Sequence, residues 1–392
     1  MIPREDIDKV RERVRIEEVV SDYVSLRNAG TGSMKGLCPF HDEKSPSFHV
    51  RPHVGRWHCF GCGEGGDVFS FIEKIEHIPF IEAVQFLARK VGVELRDEKG
   101  PRENRGVTRA RLGDAHTAAV EFYRDQLSRN SVAIEFLTNR GFDRGVIDSF
   151  EVGYSPDSLD ELLRQLRGKG FTEQELAATG LFSTGNRGMY DRFRGRIMWP
   201  IHSITGETIG FGARIIGEGQ PKYLNTPETQ LYQKSKVLYG LDRAKKAISS
   251  GRQVVIVEGY TDVMAAHLAG ITTAVATCGT AFGTEHTKIV RRLIGDSASP
   301  SAGVQLSSGR SVGGEIIFTF DGDEAGQKAA LRAYEEDQSF AAQTFIAVDK
   351  AGRDPADVRQ EDGDEGVRQL IETREPLFAF AIRSVLKGAR LD

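Results

Sequence analysis

Between residues 5 and 26, Ile7, Val10, Val14, Ile16, Val19, Val20 and Val24 recur at mostly helical spacings, which predicts an amphipathic lead-in helix broken once. From Asp67 to Val91 the apolar positions predict two short helices, the second started by Pro79. Residues 95–112 are charged and nearly free of large apolar groups, the pattern of a linker between separately folded units. Residues 113–170 read as helical, and residues 185–252 mix Gly, Arg and Lys with short strand-like runs such as RIMWPI and TIGFGAR. Further on, VVIVEGY, TTAVATCG, EIIFTFDGD and SFAAQTFIAV are short β-branched or apolar runs separated by helical stretches, the alternation of a parallel α/β sheet. The Ser/Gly-rich residues 296–314 predict a mobile loop, and Glu365–Asp392 reads as helix. No internal repeat is visible.

This pattern divides the chain into a metal-binding domain (1–95), a linker (96–112), a basic α+β lobe (113–252), an α/β core with a flexible loop at 296–314 (253–364), and a helical tail (365–392). The fold class is thus multidomain, α+β and α/β. A length of 392 residues with 39% apolar content supports ordinary cores. No run approaches the ~18 apolar residues of a membrane span, and the charged amino terminus lacks the apolar centre of a signal peptide. The expected location is cytoplasmic, with no membrane partner. A net charge of −4 excludes a uniformly basic nucleic-acid coat and leaves any such binding to local patches.

Three of the four cysteines lie between Cys38 and Cys62, a grouping that suits a metal site better than a disulfide framework. The ligand set is Cys38, His41, Cys59 and Cys62: Cys-x2-His, a seventeen-residue gap, then Cys-x2-Cys. Two short-spaced pairs can close a tetrahedron, and three thiolates with one imidazole favour a single structural zinc with no open position. His49 and His58 are alternative ligands that do not reproduce the paired spacing. Gly61 and Gly63 fit a tight turn whose amides bond thiolate sulfur. Lys35, Lys44, Phe48, Arg51, Arg56, Trp57 and Phe60 surround the cluster, either as contacts for phosphates and bases or, for the aromatics, as the miniature core of the metal unit.

A second centre is built from Glu258, Asp321, Asp323, Asp354 and Asp357. Each follows an apolar strand-like run or begins a turn, so parallel strands present them together along the carboxyl edge of a sheet. Crowded carboxylates repel unless a divalent cation intervenes, and Mg2+ or Mn2+ also binds triphosphate oxygens. Between the two centres, residues 186–252 carry twelve Lys/Arg against five Asp/Glu, including Arg192 and Arg194 in DRFRGR. A positive channel beside an acidic metal pocket suits a nucleic-acid polymerase.

Together these motifs resemble the bacterial DnaG-type primases, from the first helix to the last. The Cys/His segment resembles that family's CHC2 zinc ribbon; EGYTDVM, DGD and DP resemble its TOPRIM core, which implies Glu258, Asp321 and Asp323 as catalytic groups and these with Asp354 as cation ligands. Asp354-Pro355-Ala356-Asp357 departs from the family's Asp-Pro-Asp and sets the last carboxylate, Asp357, one residue later. RFRGRIMWPI, GFGAR, PKYLN and the Lys of QKSK resemble the family's amino-terminal polymerase lobe, which carries over Arg140, Arg214, Lys222, Tyr223, Asn225 and Lys234 as template or nucleotide contacts.

The resemblance implies a DNA-dependent RNA primase that reads single-stranded DNA, joins ribonucleoside triphosphates into short RNA primers and works within the nucleoid-associated replication machinery. Glu258 is open to two roles, proton transfer or metal binding. The family's helicase-binding domain does not fit in what remains, so the chain is expected to be a fragment ending inside a helical subdomain, with the replicative helicase engaged through the missing part. Two rivals stand beside this reading: a TOPRIM nuclease or topoisomerase, and a noncatalytic zinc/TOPRIM recombination scaffold.

Overall fold

In a computed structural model, which describes residues 2–96, 107–297, 314–320, 333–336 and 339–388, the lead-in segment forms α1 (Arg4–Arg13) and α2 (Ile16–Ser21), broken where Val14 and Arg15 turn extended. An antiparallel meander follows: β1 (Arg27–Asn28), β2 (Met34–Gly36), β3 (Phe48–Arg51), β4 (Arg56–Cys59) and β5 (Gly65–Gly66). Then come α3 (Val68–Glu76), capped by the Asp67 carboxylate accepting from Ser70 N, and α4 (Phe80–Val91), with Pro79 at its N-cap. Phe48 and Trp57 stack with centroids 5.3 Å apart and are buried with Val10, Val20 and Phe71. These two aromatics are therefore core of the metal unit rather than contacts for bases.

The middle of the chain is α5 (Arg109–Ser128), α6 (Ser131–Thr138), α7 (Arg144–Ser149), β6 (Gly153–Ser155), α8 (Glu161–Gly168), α9 (Glu173–Ala178), the hairpin β7 (Phe182–Gly185) with β8 (Gly188–Asp191), and β9 (Arg196–His202), β10 (Thr208–Ile215) and β11 (Tyr223–Asn225). The helical reading of 113–170 missed β6, too short to show a period. An antiparallel sheet of order β11-β10-β9-β6 packs against α5 through Phe122, Tyr123, Met198 and Phe211.

The last third builds a six-stranded sheet from β12 (Leu238–Tyr239), β13 (Gln253–Val257), β14 (Ala274–Thr277), β15 (Glu315–Thr319), β16 (Gln343–Ala347) and β17 (Glu375–Pro376), in the order β12-β14-β13-β15-β16-β17. The four central strands are parallel and the two edges antiparallel. Helices α10 (Leu241–Gly251), α11 (Tyr260–Leu268), α12 (Thr284–Ile294), α13 (Pro355–Glu372) and α14 (Leu377–Gly388) complete the unit. Val254 and Ile256 face α10 and α12, whereas Val255 and Val257 face α11 and α13, so both sides of β13 are buried and its sequence is continuously apolar. The span α13 is broken at Gly363, where φ is 74°, so its second part starts beside the expected Glu365; the tail expected as one helix is then interrupted by β17 before α14. Among the described residues no helix is long and apolar enough to cross a membrane.

The three units share contacts. Trp199 of β9 stacks on Tyr260 of α11, fusing lobe and core into one apolar cluster. Asp22 sits between Lys90 and Lys245, each at 2.6 Å, and Arg291 of α12 reaches Asp42 at 2.8 Å, holding the metal-binding domain against the core.

Candidate metal centre and nucleic-acid site

The sulfurs of Cys38, Cys59 and Cys62 and a ring nitrogen of His41 all lie within 4.8 Å of one another. Cys38 Sγ and Cys62 Sγ are 4.0 Å apart, and Cys59 Sγ is 3.8 Å from His41 Nδ1. Zinc–thiolate bonds of ~2.3 Å give a tetrahedron with edges of about 3.8 Å, close to these two separations, so the donor set fits such an ion with a small contraction. The neighbouring groups are in place too: Phe40 N and Gly61 N donate to the sulfurs of Cys38 and Cys59, both at 3.4 Å. Glu43 lies 3.4 Å from the other imidazole nitrogen and accepts from Cys38 N, Ser47 N and the Ser47 hydroxyl, fixing the loop and the ring together. Gly61 is required by space, since a Cβ there would meet His41 Nε2 at 2.6 Å. His49 and His58 instead make edge contacts with the Phe60 ring, which is 66% exposed, so the structure favours His41. Lys35, Lys44, Arg51 and Arg56 are exposed on this unit.

The carboxylate centre is set by the parallel sheet. Successive crossovers leave β13 toward β14 on one side and β15 on the other, so the carboxyl end of β13 is a topological switch point, and Glu258 is the residue that follows it. Asp321 and Asp323 lie outside the described residues. Asp354 caps α13 by accepting from Asp357 N at 2.7 Å, ahead of Pro355 at the first helical position. Burial and the adjoining Asp357 raise the Asp354 pKa, opposed by the Asp357 N–H and by Arg214.

Two residues outside the expected set organise this region. Asp262, 4% exposed, accepts from Gly259 N at 2.8 Å and Ala356 N at 3.4 Å, joining the turn after Glu258 to the start of α13. Its sequence signal was an acid three residues after the Gly259 cap. Phe136 is a platform beneath Arg140 and Arg214, whose guanidinium carbons lie 3.8 and 5.3 Å from its ring centroid. Its local mark is the i,i+4 spacing to Arg140, which also donates to Phe136 O at 3.1 Å, whereas Arg214 arrives from a distant strand.

Of the expected cationic contacts, Arg140, Arg214 and Tyr223 converge: Arg214 Nη1 donates to Tyr223 Oη at 3.2 Å, and Lys222 lies over the Tyr223 ring at 5.9 Å. Burial and neighbouring Arg214 lower the Arg140 pKa, while Asp354 and Asp357 pull it back up, so arginines and carboxylates share one electrostatic neighbourhood. Asn225 is occupied internally, with Oδ1 accepting from Tyr260 Oη at 2.8 Å and Nδ2 donating to Cys278 O at 2.9 Å. Arg192 contacts Ser183 and Arg194 lies over the Tyr190 ring, both at the β7–β8 hairpin. Lys234 lies in a short 3-10 turn and its carbonyl oxygen pairs with His286. Part of the basic excess is structural: Arg196 bonds Lys222 O, Lys245 binds Asp22, and Arg252 bonds Ile294 O.

A Cys3His ribbon, a basic antiparallel lobe and a parallel sheet with acids at its switch point define a protein of the zinc-ribbon and TOPRIM class. In agreement, a CHC2 zinc finger model matches residues 2–103, the amino-terminal domain of the DNA primase catalytic core matches 122–245, and a Toprim domain matches 252–347. The DNA primase of Streptomyces coelicolor is 54% identical over 396 residues, spanning 99% of this chain and 59% of that protein. The RNA polymerase domain of Mycobacterium tuberculosis primase DnaG, solved with a duplex bearing a 6-nucleotide overhang, superposes with a TM-score of 0.64 at 46% identity over 73% of this chain and 87% of that one. The zinc-binding and RNA polymerase domains of Aquifex aeolicus primase give 0.62 at 31% identity, over 97% and 88%. The chain belongs to the DnaG-type DNA primase family. It spans about three fifths of the length of the curated relatives it matches.

Proposed function

We propose that the protein is a DNA-dependent RNA primase, forming phosphodiester bonds between ribonucleotides on a single-stranded DNA template. The observation that carries this reading is the convergence of Arg140, Arg214 and Tyr223 with Asp354 and Asp357 beside the switch point where Glu258 stands. Phosphoryl transfer asks a protein chiefly for positioning and charge stabilisation. Arg214 and Arg140, stacked on Phe136, hold phosphate oxygens with planar forks, and the half-exposed Tyr223 offers a ring to a base. Asp262 holds the Glu258 turn in register with Asp354. Glu258 serves as proton acceptor for the attacking 3′-hydroxyl or as a cation ligand. Glu258, Asp354 and Asp357, with Asp321 and Asp323, would hold Mg2+ or Mn2+, which supplies neutralisation of the charge developing on the departing pyrophosphate.

One zinc at Cys38, His41, Cys59 and Cys62 organises the ribbon, whose exposed Phe60, Lys35, Arg51 and Arg56 offer stacking and charge to a single strand. The overhang-bearing duplex bound by the mycobacterial relative supports a DNA template as partner. Family membership and the charge-rich lobe weigh against the nuclease, topoisomerase and scaffold readings. The deciding experiment supplies single-stranded templates, ribonucleoside triphosphates and Mg2+ or Mn2+. Short RNA products that require template are the expected result, and their absence under all metal conditions would overturn the reading.

A further inference from the structure

Two adjacent arginines on α12 have opposite fates. Arg291 is fully engaged, donating to Asp42 at 2.8 Å, Glu43 O at 3.1 Å and Asp296 at 3.3 Å. Arg292 makes only a main-chain link to the metal-binding domain, its carbonyl accepting from Ser25 N at 3.0 Å. Its guanidinium has no hydrogen-bond or ion-pair partner among the described residues, and its Nε is shielded from solvent. The negative groups in electrostatic range are Glu285, on the same helix and already paired with Lys288 at 2.6 Å, and the Cys38 sulfur of the metal cluster, which faces the smaller crevice. Arg292 is therefore half-buried, with Nε shielded and the outer nitrogens open to the crevice, a fork placed to take an anion.

Arg292 also lies where two crevices meet. The smaller, about 200 Å3, runs between the Leu37–Glu43 loop and Arg291. The larger, about 400 Å3, is walled by Tyr23, Ile75 and Ile78 of the metal-binding domain, Ile204 of the lobe and Ile289 of α12. That volume falls in the range of small-molecule sites. Its charged lining is Arg109, Lys236 and Arg292 against Glu76 and Glu285. Glu76 is paired with Arg109 at 2.8 Å and accepts from the Tyr23 hydroxyl at 2.6 Å. Arg109 Nε is a second buried donor without a partner among the described residues. The crevice thus pairs apolar walls with a cationic end, where Lys236 and Arg292 outnumber the lining carboxylates left after the Arg109–Glu76 pair.

We propose that this crevice binds a small amphipathic organic anion, its sulfonate, carboxylate or phosphate on Arg292 and its apolar or aromatic body against Ile78, Ile204 and Ile289. Because the walls come from the metal-binding domain, the lobe and the core, the occupant bridges all three. The site is separate from the Asp354 pocket, so it stands or falls independently of primer synthesis.

The test uses the full chain and 8-anilinonaphthalene-1-sulfonate, whose fluorescence rises in an apolar site. Saturable binding at one site per chain is expected, weakened roughly tenfold by Arg292→Met, abolished by Ile289→Trp, and unchanged by Lys246→Met on the exposed surface. A tenfold change corresponds to loss of one good charge-assisted contact. Ile204→Phe repeats the filling experiment if Ile289→Trp fails to fold, and Arg292→Met is expected to melt no lower than the parent. Inorganic phosphate alone should compete only weakly, since it lacks the body; full competition would reduce the site to a bare anion hole. Unaltered binding in Arg292→Met, or no saturable binding in the parent, overturns the proposal. So does competitive displacement by a short oligo-dT, which would give the crevice to the template strand.

Discussion

The hydroxyl of Tyr260 donates to Asn225 Oδ1 across 2.8 Å, tying the turn that follows Glu258 to the last residue of β11. The Tyr260 ring lies against the bare backbone of Gly212, where an added Cβ would fall 2.0 Å from the ring's Cζ. Gly212→Ala is therefore expected to cost about 2–3 kcal/mol, because neither the β-sheet backbone nor the ring stacked on Trp199 has room to move. Asn225→Ala takes from the Tyr260 hydroxyl one of its partners and leaves Cys278 O without its donor, and should cost about 1–3 kcal/mol. Urea unfolding checks both, and neutral outcomes would show that the lobe–core seam relaxes freely.

The metal centre predicts about one zinc per chain, lost on Cys59→Ser. Glu43→Gln leaves the four ligands intact but removes the carboxylate that orients His41 and the loop, so affinity should fall about 10–100-fold. Competition with a chromogenic chelator measures this; equal zinc retention in Glu43→Gln would relegate the carboxylate to loop folding alone.

Asp354 combines two duties, and Asp354→Asn separates them. Asparagine caps a helix as well as aspartate, so α13 and the melting temperature should be preserved, while loss of the charge should lower primer synthesis about 100-fold or more. Asp321→Asn and Asp323→Asn are expected to behave alike, losing synthesis while keeping fold and template binding. Full activity in these variants would remove the cation pocket from the mechanism.

Arg214→Ala and Lys222→Ala should weaken single-strand binding without unfolding the lobe. Where a side chain neutralises one phosphate, its removal should reduce the slope of log K against log salt by about 0.7. Arg196→Ala, by contrast, removes a buried internal donor and should act on stability. Identical salt slopes in the parent and in Arg214→Ala would leave Arg214 a structural partner of Tyr223 and Phe136.

His116 is fully buried, and burial pushes its imidazole down to about 4 against the hydrogen bond its Nε2 donates to Thr179 O. An unfolded histidine titrates near ~6.5, so below that pH the unfolded chain takes up a proton that the folded chain refuses. Stability should fall by up to about 3 kcal/mol as pH drops from about 6.5 to 4, and be insensitive to this group above it. His116→Gln should remove that dependence. Asp191, raised to about 6 by burial, acts oppositely over part of the window, so the readout is the difference between parent and variant rather than either curve alone. A constant difference across pH 5–7.5 would refute the assignment.

The features legible in the chain alone are local ones. The Cys-x2-His and Cys-x2-Cys pairs, the Asp67, Pro79 and Asp354-Pro355 helix starts, and the doubly buried run of β13 are written in spacing and residue type, because turn, cap and strand chemistry operate over a few residues. Which charges meet is settled by tertiary packing instead. Sequence could not separate Arg214, which reaches the acidic pocket over Phe136, from Arg196 and Lys245, which are spent on internal partners. It could not show that Asn225 is held by Tyr260 and Cys278, or that Arg291 is paired while, among the described residues, the Arg292 guanidinium is not. Those outcomes depend on strands and helices far apart in the chain coming together, where desolvation and geometry, not composition, set the role of each side chain.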